Sequence, residues 1–438
     1  MPANEKKSTL QNLAVGLLDR RHYPVLVSGA TFITLVCAAG VLSAPTMFVR
    51  PFESEYGWSA GQISMAQALQ IALFGLTGPF AAAAMERYGV RKTIACALVL
   101  LTCASLAVTR VTALWQLLLW AGCVGVGAGS IALTLGATIA NRWFLKNRGT
   151  VLGIFTAGNA TGQLVFLPMF GALIEHQGWR ICAYILAVLM FVLIAFFCLI
   201  MRERPVDVGI PPWGGKTIEP APSHKRNPIS EALGALQDAS RSRTFWLLAG
   251  SFFICGASTN GLIGAHLVPA CGDRGIAETK AAGLLALMGV FDLFGTTMSG
   301  WLSDRWDSRW LLFWYYSLRG LSLLFLPFAF GLGLFGLPLF AVFYGLDWVA
   351  TVPPTIRIAT AAFGRERAPV VFGWIFTAHQ LGAASTALAT GWSRTAVGSY
   401  DAAFVTSGAL CLFGSMLVLC IARRPQILPA FVELATGT

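Results

Sequence analysis

Apolar segments long enough to cross a lipid bilayer recur along this chain of 438 residues. A spanning α-helix needs about 20 consecutive apolar residues, and such segments run from 24–49 and 61–84 through to 410–422. Because 56% of all residues are hydrophobic and only 12% are charged, a water-soluble core would be too small to bury them. The number of segments predicts an all-α membrane protein with about twelve transmembrane helices.

The basic residues are distributed unevenly between the two sides of the predicted helices. Of the 31 Lys and Arg residues, 23 fall in loops on the side of the N terminus, six on the other side and two within spans. Positively charged loops stay in the cytoplasm, so both termini and the long middle loop are expected there. The net charge of +11 therefore indicates the orientation of a multi-pass protein in the cell (inner or plasma) membrane, and no nucleic-acid partner is expected.

A polar, Pro-rich segment in the middle of the chain divides the predicted helices into two sets of six. The predicted units are a cytoplasmic tail, an N-terminal six-helix bundle, a cytoplasmic linker, a C-terminal six-helix bundle and a second cytoplasmic tail: residues 1–23, 24–201, 202–243, 244–422 and 423–438. The first tail shows no cleavage site typical of a signal peptide. The sequence Ile-Phe-Thr-Ala at 154–157 returns at 375–378, which indicates that the two bundles are pseudo-repeats.

The patterns typical of enzymes and metal sites do not occur in this sequence. The ten Cys residues are scattered through apolar segments without Cys-x-x-Cys spacing, so neither a metal site nor a disulfide framework is expected. A nucleophile elbow and a His-Glu-x-x-His helix are also missing. We therefore expect a protein that is not an enzyme and that needs no cofactor.

The loops after the second and eighth predicted spans carry matching charged residues. One contains Glu86-Arg87-Tyr-Gly and the other contains Asp304-Arg305. Both resemble the acidic-Arg signature of the major facilitator superfamily, which implies the major facilitator fold of two six-helix bundles. A carboxylate beside cations at a helix end can hold neighbouring helices together and release them, so these four residues are predicted to act in gating. Alternatively, the charges serve only to set the topology.

A narrower resemblance covers segments near the fifth, tenth and eleventh spans. The sequences at 142–149, 345–355 and 376–382 are similar to the monocarboxylate porter branch of that superfamily, which includes the oxalate/formate antiporter and its bacterial relatives. This resemblance implies a secondary active transporter that moves a small organic anion, in particular a monocarboxylate, by alternating access and proton symport. We expect a monomer surrounded by membrane lipid, with that anion and protons as its partners.

Four ionisable residues lie near the middle of spans eight to eleven: Asp292, Arg319, Asp347 and His379. A charge at the bilayer centre costs about 2.5 to 3.5 kcal/mol, so each is a candidate functional residue. His379 and Arg319 are predicted to bind the anionic substrate, and Asp292 and Asp347 to couple protons. The resemblance supports Asp292 and His379, because related carriers have charges at both positions. Arg319 needs a counter-ion, either Asp347 or Asp292, and its pair with Asp347 alternatively has only a structural role.

Three other functions remain open at this point. An organic-anion exchanger and a transporter of another small molecule would have the same architecture and the same intramembrane charges. A membrane sensor that carries out no transport would have all of the sequence features described above. The sequence therefore predicts the fold more narrowly than it predicts the substrate.

Overall fold

A computed structural model describes residues 22–146, 148–215, 217–218, 228–364 and 367–422. The predicted cytoplasmic tails thus lie almost entirely outside the described residues. The first bundle contains α1 (Tyr23–Tyr56), α2 (Ala60–Tyr88), α3 (Val90–Val108), α4 (Leu114–Trp143), α5 (Arg148–Gln177) and α6 (Trp179–Ile200). A short helix of the linker, α7, covers Pro228–Ala239.

The second bundle contains two interrupted spans. The seventh consists of α8 (Arg243–Gly256), a π-helical segment (Ala257–Gly264) and α9 (Ala265–Asp273), and the tenth consists of α12 (Gly333–Leu346) and α13 (Val352–Phe363). The continuous spans are α10 (Glu278–Ser303), α11 (Ser308–Ala329), α14 (Ala368–Val397) and α15 (Asp401–Leu419).

Ten stretches of the described chain are helical, long and apolar enough to cross a membrane. The two further spans are α14, which is 30 residues long, and the pair α12 and α13. Within the described residues the chain forms helices and no named strand. The prediction of an all-α fold with twelve transmembrane helices is confirmed.

The linker is held against both bundles on one side of the molecule, which we call the linker side. Near the first bundle, the backbone N–H of Trp213 donates to the carbonyl oxygen of Trp143 at 2.8 Å. Near the second, Asp238 of α7 forms an ion pair with Arg367 at 2.7 Å, and the indole N–H of Trp374 donates to Ala232 at 2.9 Å. The segment predicted as a polar linker thus contains an ordered helix that packs at the start of α14.

The two bundles contact each other mainly along α2 with α14 and along α5 with α10. At mid-height, the hydroxyl of Thr377 donates to the carbonyl oxygen of Gly75 at 3.3 Å. At the end opposite the linker, the backbone N–H of Thr279 donates to Oε1 of Glu175 at 3.1 Å. The bundles are therefore in contact both at mid-height and at the end opposite the linker.

Candidate functional site

The tenth span is interrupted near its middle, where α12 ends at Leu346 and α13 begins at Val352. The backbones of α10 and α12 touch here, since a Cβ atom on Gly295 would lie 1.8 Å from the carbonyl oxygen of Leu346. Two prolines in the first turn of α13 have no N–H that could continue the hydrogen-bond ladder backwards. Some backbone groups of residues 347–351, which we call the break, are bonded within short turns, such as the N–H of Trp348 to Gly345. The remaining groups need partners from other helices.

Arg319 of α11 supplies those partners at the carbonyl end of α12. Its Nη2 donates to the carbonyl oxygens of Asp347 at 2.5 Å and Trp348 at 3.2 Å, and its Nε donates to Oδ2 of Asp347 at 2.8 Å. Its Nη1 donates to Sγ of Cys255 at 2.8 Å. A cation is favourable at a helix C terminus, where the last carbonyls lack partners. The counter-ion of Arg319 is thus Asp347, and every nitrogen of the guanidinium is engaged within the protein.

Asp292 of α10 binds the other side of the break. Its Oδ1 accepts hydrogen bonds from the backbone N–H of Val349 at 2.9 Å and from the hydroxyl of Thr296 at 2.8 Å. Two turns further along α10, the hydroxyl of Ser299 donates to the carbonyl oxygen of Ala350 at 2.5 Å. A carboxylate close to the N terminus of α13 is favourable because unpaired amide groups point toward it. Opposite charges therefore lie on the two sides of the break.

His379 lies where α14 packs on α8, beside the boundary between the bundles. Its ring stacks on Phe376 with centroids 5.6 Å apart and lies 5.0 Å from the ring of Phe252. Two residues earlier, Thr377 contacts Gly75 of the first bundle. The Nδ1 atom of His379 is buried and has no hydrogen-bond partner in the described part of the chain. An imidazole with an unengaged nitrogen can bind a ligand as a donor or as an acceptor.

Cys255 joins the buried ion pair to the break. Its Sγ accepts from Nη1 of Arg319 at 2.8 Å and lies 3.4 Å from the hydroxyl of Thr351. The next residue, Gly256, packs against the backbone of His379. Asp347, Arg319, Cys255 and Thr351 thus form one chain of polar contacts. Asp292, by contrast, contacts the break directly, and no hydrogen bond joins it to His379 among the described residues.

The first bundle contributes buried amides on α2, between Gly75 and the end opposite the linker. The Nε2 atoms of Gln67 and Gln70 donate to the carbonyl oxygens of Pro45 and Leu42 on α1, at 3.2 and 3.1 Å. Their Oε1 atoms are buried and, within the described residues, have no partner. These side chains join α1 to α2 and leave two acceptors free inside the molecule.

The loop after α2 is held by a residue that sequence reasoning missed, Glu203. Its carboxylate accepts from the backbone N–H groups of Val90 and Arg91, at 2.6 and 3.0 Å, and pairs with Arg142 of α4 at 3.3 Å. Arg87 is exposed, and the side chain of Glu86 lies outside the described structure. The described contacts of this loop therefore involve the first bundle and the start of the linker, and the gating role of these two residues stays a prediction.

The second charged loop lies in a similarly exposed place at the end of α10. Asp304 pairs with Arg357 at 3.3 Å, with side chains 81% and 49% exposed. The guanidinium of Arg305 lies 4.1 Å from the ring of Trp301. Exposed ion pairs contribute little to stability, so this loop is held weakly. Gating by Asp304 and Arg305 also stays a prediction.

Several proteins of known family are similar to this chain. It is 24% identical over 396 residues to Monocarboxylate transporter 13 of Bos taurus, covering 90% of this chain and 88% of that protein. It is 24% identical over 372 residues to YcxA of Bacillus subtilis (strain 168), an uncharacterized MFS-type transporter, covering 82% and 86%. The fold is similar to the crystal structure of a bacterial homologue of the human lysosomal transporter Spinster in an inward-facing, unoccupied conformation. That likeness has a TM-score of 0.68 at 15% identity and covers 95% of this chain and 97% of that one.

The family model described as Major Facilitator Superfamily matches residues 30–387. That match covers most of both bundles, ends within α14 and includes all four intramembrane ionisable residues. The chain therefore belongs to the Major Facilitator Superfamily, a family of membrane transporters.

Proposed function

We propose that this transporter moves a small organic anion, most simply a monocarboxylate, together with a proton by alternating access across the cell membrane. The names of several relatives, which are monocarboxylate transporters, support the substrate class. The surplus of basic residues on the linker side supports a cytoplasmic location for the linker and both termini.

The position of His379 is the observation that carries the proposal. An anion entering a site of low dielectric constant needs a positive partner, and Arg319 is engaged on all its nitrogens by the break and Cys255. His379 has an unengaged Nδ1 beside the boundary between the bundles. Among the four mid-depth residues, it is therefore the cation available for a carboxylate when protonated.

Asp292 and Asp347 are suited to different parts of the proton coupling. Asp292 binds the break through Oδ1, so protonation of its carboxyl would weaken its hold on Val349. Asp347 has its Oδ2 on Arg319, while its Oδ1 is buried without a partner in the described chain. A proton taken up here would cancel the charge of the transported anion, which lowers the cost of moving both across the membrane.

The contacts between the bundles support alternating access. They join α5 to α10 at the end opposite the linker and α2 to α14 at mid-height. Rocking of one bundle against the other would break the contact between Glu175 and Thr279 and open the end opposite the linker.

Uptake by proteoliposomes would test the proposal with lactate, pyruvate, formate and oxalate, varying the proton gradient and the membrane potential separately. We expect uptake of at least one monocarboxylate driven by an inwardly directed proton gradient. His379→Gln should weaken substrate binding, because the glutamine amide cannot become positively charged. His176→Gln at the exposed end of α5 is the matched control and should behave as the wild type.

Each contrary result would remove a specific part of the proposal. No carboxylate flux in the wild type would remove the substrate class. Exchange of labelled for unlabelled anion without net gradient-driven uptake would favour the organic-anion exchanger. Unchanged binding by His379→Gln would remove His379 from the substrate site.

A further inference from the structure

We propose that the proton carried with the substrate leaves Asp347 toward the linker side through the interior of the second bundle, past the hydroxyls of Tyr315 and Ser303. This inference rests on the proposed proton coupling. Oδ1 of Asp347, Oη of Tyr315 and Oγ of Ser303 are all buried, and none has a hydrogen-bond partner in the described part of the chain. They belong to the break, α11 and α10, and α13, which follows the break, contacts both helices. We call the region between these elements the exit route.

Ser303 lies between two contacts that join α10 to the tenth span. One turn before it, the hydroxyl of Ser299 donates to the carbonyl oxygen of Ala350 at 2.5 Å. One residue after it, Asp304 pairs with Arg357 of α13 at 3.3 Å. Residues four apart in an α-helix share a face, so Ser303 lies on the face that carries Ser299 and meets the tenth span. The buried hydroxyl of Ser303 therefore borders the exit route.

Tyr315 borders the exit route from α11. It precedes Arg319 by four residues, so both side chains lie on the face of α11 that meets the break. Helical side chains lean toward the N terminus of their helix, and α11 begins on the linker side. The phenol of Tyr315 therefore points from the break toward the linker side. It approaches Ser299 and Asp347, yet its hydroxyl forms no hydrogen bond with any described residue.

Water can connect these three buried atoms. Buried polar groups of folded proteins bond either to protein or to ordered water, and a buried water needs about two to four polar partners. The rise of α10 from Ser299 to Asp304 is about 7.5 Å, which two or three waters span with hydrogen bonds of about 2.8 Å. The side chain of Asp304 is 81% exposed. The exit route thus begins at the break and ends at the surface on the linker side.

Hydroxyl groups and water pass a proton on without any net change of their own. Each accepts a proton on its oxygen and releases its own hydrogen to the next acceptor. The proton leaves Oδ1 of Asp347 in this way, and the remaining carboxylate is neutralised by Arg319, which lies 2.8 Å from Oδ2. Because the exit route lies within the second bundle, the proton and the anion leave by different paths.

The charged and titratable groups beside the exit route come from every element that packs around it. Besides Asp347, they are Asp292 and Asp304 on α10, Tyr315 and Arg319 on α11, Cys255 on α8 and Arg357 on α13. The two arginines stay charged throughout, so they repel the proton and cannot carry it. The groups left to carry it are the hydroxyls and the water between them.

Radical footprinting by X-ray radiolysis of the protein in lipid nanodiscs tests for water in the exit route without any substrate. Radicals formed from bound water oxidise the side chains next to it, even where these are buried. We expect Tyr315 to be oxidised several times faster than Tyr344, the matched control, whose buried hydroxyl donates to the carbonyl oxygen of Ser258 at 2.7 Å. Equal rates for the two tyrosines, or no oxidation of Tyr315, overturn the inference.

Lactate transport by variants that lack one hydroxyl tests the role of the exit route in moving the proton. Tyr315→Phe and Ser303→Ala should lower gradient-driven uptake about tenfold, while exchange of labelled for unlabelled lactate stays within about twofold of the wild type. Exchange persists because it releases no proton. Ser415→Ala is the matched control, since this buried serine donates to the carbonyl oxygen of Leu412 in its own helix.

The outcomes separate the exit route from a purely structural role. Equal losses of uptake and exchange in Tyr315→Phe and Ser303→Ala would assign both residues to packing and overturn the inference. Unchanged uptake in both variants would make any water found there structural and overturn it as well. Absent lactate uptake in the wild type would count against the proposed substrate, and the footprinting result would then decide the inference alone.

Discussion

The Nε atom of Arg319 lies 2.8 Å from Oδ2 of Asp347, and the two side chains are 0% and 7% exposed. The same guanidinium also binds two carbonyl oxygens at the end of α12. One cation therefore neutralises a carboxylate and completes an interrupted helix. The pair joins the ninth and tenth spans regardless of what the transporter carries.

Removing the carboxylate of that pair should be strongly destabilising. Asp347→Asn leaves the buried charge of Arg319 without its counter-ion, which costs about 3 to 5 kcal/mol of unfolding free energy. Thermal unfolding in detergent measures the loss, and adding Arg319→Gln should recover part of it. Asp304→Asn breaks the exposed pair with Arg357 and is the control, with an expected cost below about 1 kcal/mol. Equal losses for the two single variants would contradict a buried ion pair.

Two glycines at helix starts provide a test of the Glu203 contact. Gly89 and Gly178 both have positive φ angles, 93° and 84°, so alanine is strained at either position. A Cβ atom on Gly89 would also lie 2.5 Å from Oε1 of Glu203, whereas Gly178 has nothing within 4 Å. Gly89→Ala should therefore cost about 2 kcal/mol more than Gly178→Ala in thermal unfolding. Equal costs would show that Glu203 moves aside freely.

Asp292→Asn should separate net transport from exchange. An asparagine side chain can still accept from Val349 but cannot carry a proton, so the break stays formed while coupling is lost. We expect gradient-driven uptake to disappear and exchange of labelled for unlabelled carboxylate to persist in proteoliposomes. Wild-type uptake by this variant would falsify the assigned role. Thr297→Val, an exposed neighbour on α10, is the control.

The contact between Glu175 and the first turn of α10 should hold the bundles together opposite the linker. Glu175→Ala removes the acceptor for the backbone N–H of Thr279, so that amide should exchange faster with deuterated water. Hydrogen exchange of peptides covering the start of α10 measures this change, with Gln177→Ala as the control at the exposed end of α5. If the exchange rate stays the same in both variants, this contact does not hold the bundles together.

The uneven distribution of basic residues predicts the orientation in the membrane. Reporter fusions after Thr438 and within the linker should both be active on the cytoplasmic face. A fusion to the short loop between α5 and α6, at Gly178, should report the opposite face and serves as the control. An active reporter from the linker on the outer face would reverse the topology.

The depth of the ionisable residues could be predicted from the sequence, because depth follows from position along an apolar segment. The partner of Arg319 could not be chosen, since the choice between Asp347 and Asp292 depends on how each helix is rotated about its axis. The break in the tenth span could not be predicted from the sequence either. Hydropathy continues across it, and only Gly345 and the following prolines indicate a change in the backbone.

The contacts of Glu203 are a second feature that the sequence alone does not predict. Its partners Val90 and Arg91 lie 113 and 112 residues earlier in the chain, and a carboxylate in a charged loop has no pattern that would identify them. The sequence of the loop after α2 identifies it as a signature loop, but the residue that binds its backbone, Glu203, lies in a distant part of the chain. Local patterns predicted helices and loops, whereas the contacts between them depend on the packed bundle.

The buried pair also constrains how the chain enters the bilayer during synthesis. Arg319 and Asp347 are 28 residues apart in sequence, so α11 leaves the ribosome with its positive charge before its partner exists. An isolated charge at mid-depth makes insertion through the translocon unfavourable by about 2.5 to 3.5 kcal/mol. We therefore expect α11 to wait for α12 and the two to enter the lipid as a helical hairpin, already paired.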